Sequence, residues 1–294
     1  MRLTAEERSL LNGEHGHATR KAMQILVALA EIYGAEEMVP VSSVQIAGVS
    51  FHNLGQAGLE WLEEMAQDGK VRTLTTLNPA GMDLRSWHGL GVTKEFAELQ
   101  LRLVRAYETM GIAPTCTCTP YLVGNLPAPG EHIAWAESSA VAFANSVLGA
   151  RTNREGGPSA LAAALTGRTP RYGLHLPEQR IPKFEVVVDA PLRSTADWGA
   201  LGCVVGQRSN GRVALLKGVP YADLAALKSF GAALVTFGGS PLYYLEGLTA
   251  PPADATDIEA SMAVTPQDLS AARANLDDGA DQVDLVPCPI SNDR

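Results

Sequence analysis

TCTCTPYLVGNLPAPGEHIAWAESSAVAFANSVLGARTNREGG, residues Thr115 to Gly157, is the stretch around which the rest of this chain is organised. It places cysteine, histidine, glutamate, asparagine and arginine side chains between glycine and proline turns, with no long helix joining them. Segments that only fill a core rarely concentrate so many polar groups, whereas loops held on a rigid scaffold often carry binding and catalysis. The stretch therefore predicts a functional site.

The composition of the chain excludes several classes of protein. Its 294 residues allow a substantial core and two subdomains, and 46% hydrophobic with 19% charged residues is typical of a globular enzyme. A net charge of -9 without clustered lysine and arginine argues against nucleic-acid binding. The charged N-terminus has no signal-peptide pattern, and no run of about 18 apolar residues could span a bilayer. We therefore expect a cytoplasmic protein that does not engage membranes.

Alternating strand and helix patterns in the first half predict an α/β fold. The pattern favours a strand over Met38 to Val49, a helix over Gly55 to Gln67 and a strand over Val71 to Thr75. RYGLHL, Arg171 to Leu176, is typical of a further short strand. Such a rhythm predicts sheets that are rich in parallel strands.

The same alternation returns over residues 184–250, after a change in composition near residue 180. We therefore predict two domains. Residues 1–180 form an α/β domain that carries most of the site residues, and residues 181–294 form a second α/β subdomain, expected to be incomplete.

TTLNPAGMD, Thr75 to Asp83, lies where the predicted second strand ends. Open α/β sheets place ligands outside the carboxyl ends of their strands, so Asn78 is a candidate ligand-binding residue. Asn78 and Asp83 are equally compatible with side-chain turns that only shape the loop.

AESSAV places Glu137, Ser138 and Ser139 at the start of a predicted helix. Glu137 could cap the helix, because its charge suits the positive end of the helix dipole. The exposed N–H groups and two hydroxyls could equally hold a substrate carboxylate. GEHIAW adds His132 just upstream.

GARTNREGG supplies Arg151, Asn153, Arg154 and Glu155 on a turn between glycines. Arginine in such a turn is suited to bidentate hydrogen bonding with a carboxylate or phosphate. Apolar or small residues flank this turn on both sides, and a buried polar turn needs hydrogen-bond partners, of which a ligand is one. We therefore favour function over a plain surface loop here.

The four cysteines are too scattered for a disulfide framework. Cys118 precedes Thr119-Pro120, and Cys288 lies between two prolines; such turns are a common way to present sulfur to iron. The alternative is that both are buried small side chains, as Cys203 is in its apolar run.

Several of these blocks resemble the large catalytic component of the aconitase X family. They are LTAEERSLLNGEHG (from Leu3), TTLNPAGMD, TCTPY (from Thr117) and the long run from Gly130 to Leu176. The resemblance extends from about residue 3 to about residue 290. It implies aconitase-like three-layer α/β/α domains with parallel-rich sheets. It also implies a separate swivelling domain that this sequence lacks, so that a small swivelling-domain subunit is the expected partner.

The resemblance further implies a hydro-lyase that removes water from a small hydroxy acid, with an iron–sulfur cluster or a mononuclear iron as cofactor. Cys118 matches a cysteine that binds iron in this family. Cys288 would be a second ligand, although Pro287-Cys288-Pro289-Ile290 departs from the Gly-Cys-Pro-His usual in the family. The third cysteine of the family lies in a region beyond this sequence, which implies a chain truncated at its C-terminus.

The implied site divides into three groups of residues. Iron would be bound by Cys118 and Cys288. Substrate would be bound by Ser138, Ser139, Asn153, Arg154 and Asn78. Protons would be relayed by Glu137, Glu155 or His132, among which the sequence provides no ranking.

Three readings of the function remain open. We expect conversion of cis-3-hydroxy-L-proline to pyrroline-2-carboxylate, the activity of bacterial members that the chain resembles. The first alternative is the dehydration of mevalonate 5-phosphate, as in archaeal relatives, in which Arg151 or Arg154 would meet the phosphate. The second is an inactive paralogue that acts as a binding or scaffold subunit.

Overall fold

The computed structural model describes residues 1–277, and these form helices around small, mostly parallel sheets. The helices are Ala5–Asn12 (α1), His17–Tyr33 (α2), Phe51–Met65 (α3), Lys94–Thr109 (α4), Ser138–Phe143 (α5), Gly157–Thr166 (α6), Thr195–Ser209 (α7), Leu224–Thr236 (α8) and Pro266–Asp277 (α9). The strands are Met38–Pro40 (β1), Ser43–Ile46 (β2), Leu74–Leu77 (β3), Ala134–Trp135 (β4), Arg168–Pro170 (β5), Phe184–Val188 (β6), Ala214–Lys217 (β7), Tyr243–Leu245 (β8) and Ala260–Val264 (β9).

The first sheet has the order β3-β2-β4, with all neighbours parallel. Single bridges from His132 to Arg151 and from Trp135 to Arg154 run residues 151–154 alongside β4, also in the parallel sense. Because parallel strands all end at one edge, the residues that follow β2, β3 and β4 are brought together there. Strand direction thus assembles polar residues that are far apart in the sequence.

The predicted strand over Met38 to Val49 is in fact two strands in two sheets. β1 pairs antiparallel with β5, whereas β2 joins the parallel sheet. Pro40 ends β1, and proline cannot donate to a strand ladder. The next two N–H groups turn to other elements, since Val41 donates to the carbonyl of Gly167 and Ser42 to that of His132.

The strand predicted over Arg171 to Leu176 is wrong. The chain there forms a short 3-10 turn, Gly173–His175, and the strand lies just before it as β5. Gly173 has a φ of 54°, in the left-handed region that breaks an extended strand. Alternating hydrophobicity did not reveal this turn.

The second sheet has the order β8-β7-β6-β9 and is parallel throughout. Helices α7 and α8 pack closely, because a Cβ on Gly202 would lie 2.5 Å from the carbonyl oxygen of Phe230. The α/β class with parallel-rich sheets is therefore confirmed. Among residues 1–277, no helix is both long and apolar enough to cross a membrane.

Helix α5 joins the two halves of the molecule. Its Ala142 belongs to the core built around the second sheet, although its neighbours pack with Trp135 of the first. A π-helix, Ala144–Leu148, continues α5. It adds a hydrogen bond between the two halves, because Ser146 Oγ accepts from the backbone N–H of Tyr243 in β8. The polar stretch quoted above therefore lies where the two sheets meet.

Candidate active site

The carboxyl edge of the first sheet carries a cluster of polar side chains. Asn78 directly follows β3, and Glu137 lies two residues beyond β4. The Asn78 Nδ2 group donates to Glu137 Oε2 at 2.6 Å, and Gln45 Oε1 accepts from the backbone N–H of Glu137 at 3.3 Å. Two of the predicted site residues thus meet because their strands are parallel.

Glu137 is also the N-cap of α5. Its Oε1 accepts from the N–H of Ser139 at 3.5 Å, and the hydroxyls of Ser138 and Ser139 approach the same oxygen at 3.3 and 3.4 Å. The capping and site interpretations are therefore compatible, because one carboxylate oxygen serves the helix and the other receives the Asn78 amide. This arrangement holds the carboxylate in a defined orientation.

Asn78 has an unsatisfied acceptor at this edge. Its Oδ1 is buried and has no hydrogen-bond partner among residues 1–277. Buried carbonyl oxygens normally accept a hydrogen bond, so such an atom next to a carboxylate suits a hydroxyl of a ligand. The cluster of Asn78, Glu137, Ser138 and Ser139 is hereafter called the carboxyl-edge site.

Cys118 lies beside the carboxyl-edge site. The preceding residue, Thr117, donates its N–H to the carbonyl of Leu77 and accepts from Gln45 Nε2 through its own carbonyl. These bonds tie the cysteine turn to the ends of β2 and β3. Burial raises the pKa of the nearby Tyr121, and an electrostatic interaction with Cys118 raises it further.

The described residues fit an iron centre only in part. Thiolates are the usual ligands of iron–sulfur clusters, and Cys116 and Cys118 are both half-buried rather than enclosed in a core. Within residues 1–277, no group of three or more His, Cys, Asp or Glu side chains is placed to hold a metal. Cys288 lies outside the described residues. The chain up to residue 277 therefore provides one part of such a ligand set.

Arg154 reaches the same edge of the sheet through its bridge to Trp135, the last residue of β4. Its side chain is exposed and has no ion pair within the described part of the chain. An arginine without a carboxylate partner is available to an anionic ligand.

Glu155 and Asn153 lie among other partners. The buried Glu155 carboxylate accepts from the Ser159 and Thr169 hydroxyls at 2.5 and 3.2 Å, and burial raises its pKa. The amide of Asn153 bonds the backbone of Tyr172 and Leu174. The structure therefore does not bring either side chain into the carboxyl-edge site, and their predicted roles stay predictions.

His132 lies at the opposite end of the sheet. It precedes β4, and its Nδ1 is 2.9 Å from Nδ1 of His175. Burial lowers the pKa of His132, and the charges of nearby arginines, Arg151 first, lower it further. The length of β4 separates this histidine pair from Glu137, so His132 is not part of the carboxyl-edge site.

Sequence reasoning missed Gln45, His175 and Arg180. Gln45 is fully buried, and its side-chain amide hydrogen-bonds the backbone of both Thr117 and Glu137. The sequence feature that could have revealed it is a single amide side chain inside the apolar run of β2. His175 lies in the segment that was predicted to be a strand, and Arg180 lies just after that segment. Only the fold shows their polar partners.

Comparison with known proteins identifies the family. The aconitase X first-domain model matches residues 1–178, and the aconitase X second-domain model matches residues 182–277. This chain belongs to the aconitase X family. The crystal structure of Thermococcus kodakaraensis aconitase X in its holo-form agrees, with a TM-score of 0.86 and 47% identity over 94% of this chain and 69% of that one.

Curated relatives fall into two groups of dehydratases. The phosphomevalonate dehydratase large subunit of Methanothermobacter thermautotrophicus is 47% identical over 98% of this chain and 73% of its own length. That of Methanosarcina mazei is 51% identical over 85% of this chain and 62% of its own. The cis-3-hydroxy-L-proline dehydratase of Pseudomonas aeruginosa is 40% identical over 84% of this chain and 43% of its own.

The expectations of aconitase X membership and of kinship to carbon–oxygen lyases are thus confirmed. The identities favour phosphomevalonate over hydroxyproline, the reverse of our expectation. The domain division after residue 180 and the roles of individual site residues stay predictions.

Proposed function

We propose that this chain is the large component of a dehydratase that acts on mevalonate 5-phosphate. The observation that carries the choice of substrate is the identity of 47 to 51% to phosphomevalonate dehydratase large subunits, against 40% to a hydroxyproline dehydratase. The names of the former relatives also support a small partner subunit, which we propose completes the site.

The charge at the carboxyl edge supports an anionic substrate. Few lysines and arginines stand near the site residues in the sequence, and this scarcity by itself argues against a phosphorylated substrate. Arg154 offsets this argument, because no carboxylate within residues 1–277 neutralises it. A guanidinium in that condition can pair with a carboxylate or a phosphate.

In the proposed reaction a proton leaves the carbon next to the substrate carboxylate, and the hydroxyl on the adjacent carbon departs as water. Glu137 holds or moves a proton at Oε2, and the Asn78 Nδ2 group orients that oxygen. Asn78 Oδ1 accepts from a substrate hydroxyl, and Arg154 binds the carboxylate. When bound, an iron centre held in part by Cys118 supplies Lewis acidity for departure of the hydroxyl.

The test is turnover by anaerobically prepared, iron-loaded protein together with its small subunit. We expect dehydration of mevalonate 5-phosphate but not of cis-3-hydroxy-L-proline. Glu137→Gln should lower kcat by roughly 10²- to 10⁴-fold, the usual contribution of a positioned acid or base. Glu178→Gln, an exposed glutamate outside the site, is the matched control and should keep full activity.

Two outcomes would contradict the proposal. Turnover of cis-3-hydroxy-L-proline alone would show that hydroxyproline, and not mevalonate 5-phosphate, is the substrate. Absence of iron together with absence of turnover on both substrates would favour the inactive binding or scaffold subunit.

A further inference from the structure

A cavity of about 300 Å³ lies at the junction of the two halves, away from the carboxyl-edge site. Its polar lining comes from Asn145, Ser146, Arg151, Arg180 and Tyr244. The loop over residues 250–253 closes one side with alanine and proline. Among residues 1–277, two arginines and no carboxylate line this space.

Arg180 is half-buried, and within residues 1–277 no ion pair joins its guanidinium to a carboxylate. Its Nη1 group donates to Asn145 Oδ1 at 2.9 Å and to the carbonyl of Leu174 at 3.3 Å, and its Nη2 group donates to the carbonyl of Asn145 at 3.0 Å. All three acceptors are neutral oxygens. A further guanidinium N–H bonds the Tyr244 hydroxyl, which leaves one of the five N–H groups for a ligand.

Arg151 adds a second positive charge to the same cavity. Its side chain makes no hydrogen bond or ion pair with the described residues, although it is only half-exposed. Burial lowers the pKa of Arg180, and the charge of Arg151 is among the further causes. Two like charges that line one cavity, with no counter-ion among the described residues, are unfavourable, so an anion between them would stabilise the junction.

The cavity and the carboxyl-edge site lie at opposite ends of one sheet. Arg151 is bridged to His132, before β4, whereas Arg154 is bridged to Trp135, the last residue of β4. Three positions of extended chain cover about 10 Å at ~3.3 Å per residue. Arg151 therefore lies outside direct contact with an anion held beside Glu137.

We propose that this cavity is a second anion site, which binds a phosphate-class oxyanion and ties the two domains to the segment between them. Arg180 lies between the residues matched by the two family models, Arg151 lies in the first, and Tyr244 lies in the second. The Tyr244 hydroxyl donates to the carbonyl of Arg180 at 2.9 Å. A bound phosphate thus reaches all three parts, and the proposal does not depend on the substrate of the carboxyl-edge site.

The test uses inorganic phosphate and the whole 294-residue chain, with binding measured by calorimetry and thermal unfolding. Wild type should bind phosphate saturably, and its Tm should rise with phosphate concentration, as for any ligand of the folded state. Arg151→Gln should weaken binding about tenfold or more and reduce the rise in Tm, because one charge-assisted contact is lost.

Arg151→Gln is the decisive variant, since no hydrogen bond of the described residues depends on that side chain. Arg180→Gln should weaken phosphate further but also removes bonds to Asn145 and Leu174. Arg105→Gln, which replaces an exposed arginine without an ion pair among residues 1–277, is the matched control and should bind phosphate like the wild type. Unchanged binding in Arg151→Gln, or a loss confined to Arg154→Gln, would overturn the proposal.

A competition arm identifies the source of the anion. Mevalonate 5-phosphate is added to Arg154→Gln saturated with inorganic phosphate. Displacement supports the site and shows that it accepts phosphate esters. A lack of displacement supports it as a site for the free anion.

Discussion

His175 makes the stability of this protein sensitive to acid. The side chain is fully buried, its Nδ1 lies 2.9 Å from Nδ1 of His132, and its Nε2 has no partner among residues 1–277. Burial lowers its pKa from 6.5 to about 3, and the neighbouring His132 and the three arginines Arg180, Arg151 and Arg171 act in the same direction. His175 is therefore neutral in the folded protein throughout the physiological range.

The magnitude follows from proton linkage. The unfolded chain binds a proton at His175 near pH 6.5, whereas the folded chain does so only near pH 3. Acid therefore favours unfolding: the stability is complete above pH 6.5 and is lost as the pH falls toward 3. At about 1.4 kcal/mol per pH unit, lowering the pH to 5 costs about 2 kcal/mol. His132 adds to this loss, since its pKa is also lowered.

The assay is urea unfolding at pH 7 and pH 5. His175→Gln keeps hydrogen-bonding groups but cannot titrate, so it should lose about 2 kcal/mol less than the wild type between the two pH values. Protonation of carboxylates affects both proteins alike and cancels in the comparison. His88→Gln, in which an exposed histidine is replaced, should follow the wild type. Equal pH slopes for wild type and His175→Gln would refute the reasoning.

Three further substitutions test the packing and the carboxyl-edge site. Gly202→Ala should cost about 1–3 kcal/mol in urea unfolding, because its Cβ would meet the Phe230 carbonyl, and an unchanged midpoint would contradict the close packing of α7 and α8. Burial raises the pKa of Glu155, so the stability it contributes is present below the ordinary glutamate pKa and is lost as the pH rises through the raised one. Glu155→Gln should therefore lose less stability than the wild type from pH 5 to pH 7, and a greater loss would argue against a buried carboxyl. Asn78→Ala should lower kcat at least about tenfold with little change in Tm, because the Asn78 amide orients Glu137. Full activity in this variant would show that the amide takes no part in the reaction.

Much of the architecture was predictable because it depends on local patterns. The helix that begins near Glu137 and the α/β alternation follow from caps and periodicity, and the structure confirms both. The break between β1 and β2 and the turn over Gly173–His175 were missed. In both places the backbone bonds to residues distant in sequence, such as Gly167, which no local pattern encodes.

The sequence by itself determined the family, the fold class and the identity of the polar groups near residues 115–157, because these reside in composition and in contiguous motifs. Only the tertiary structure decided which of those groups meet. Parallel strands gather Asn78 and Glu137 at one edge and leave His132 at the other, since the direction of β4 puts its two ends apart. Arg151 and Arg180 likewise line one cavity only because the chain folds back across the junction.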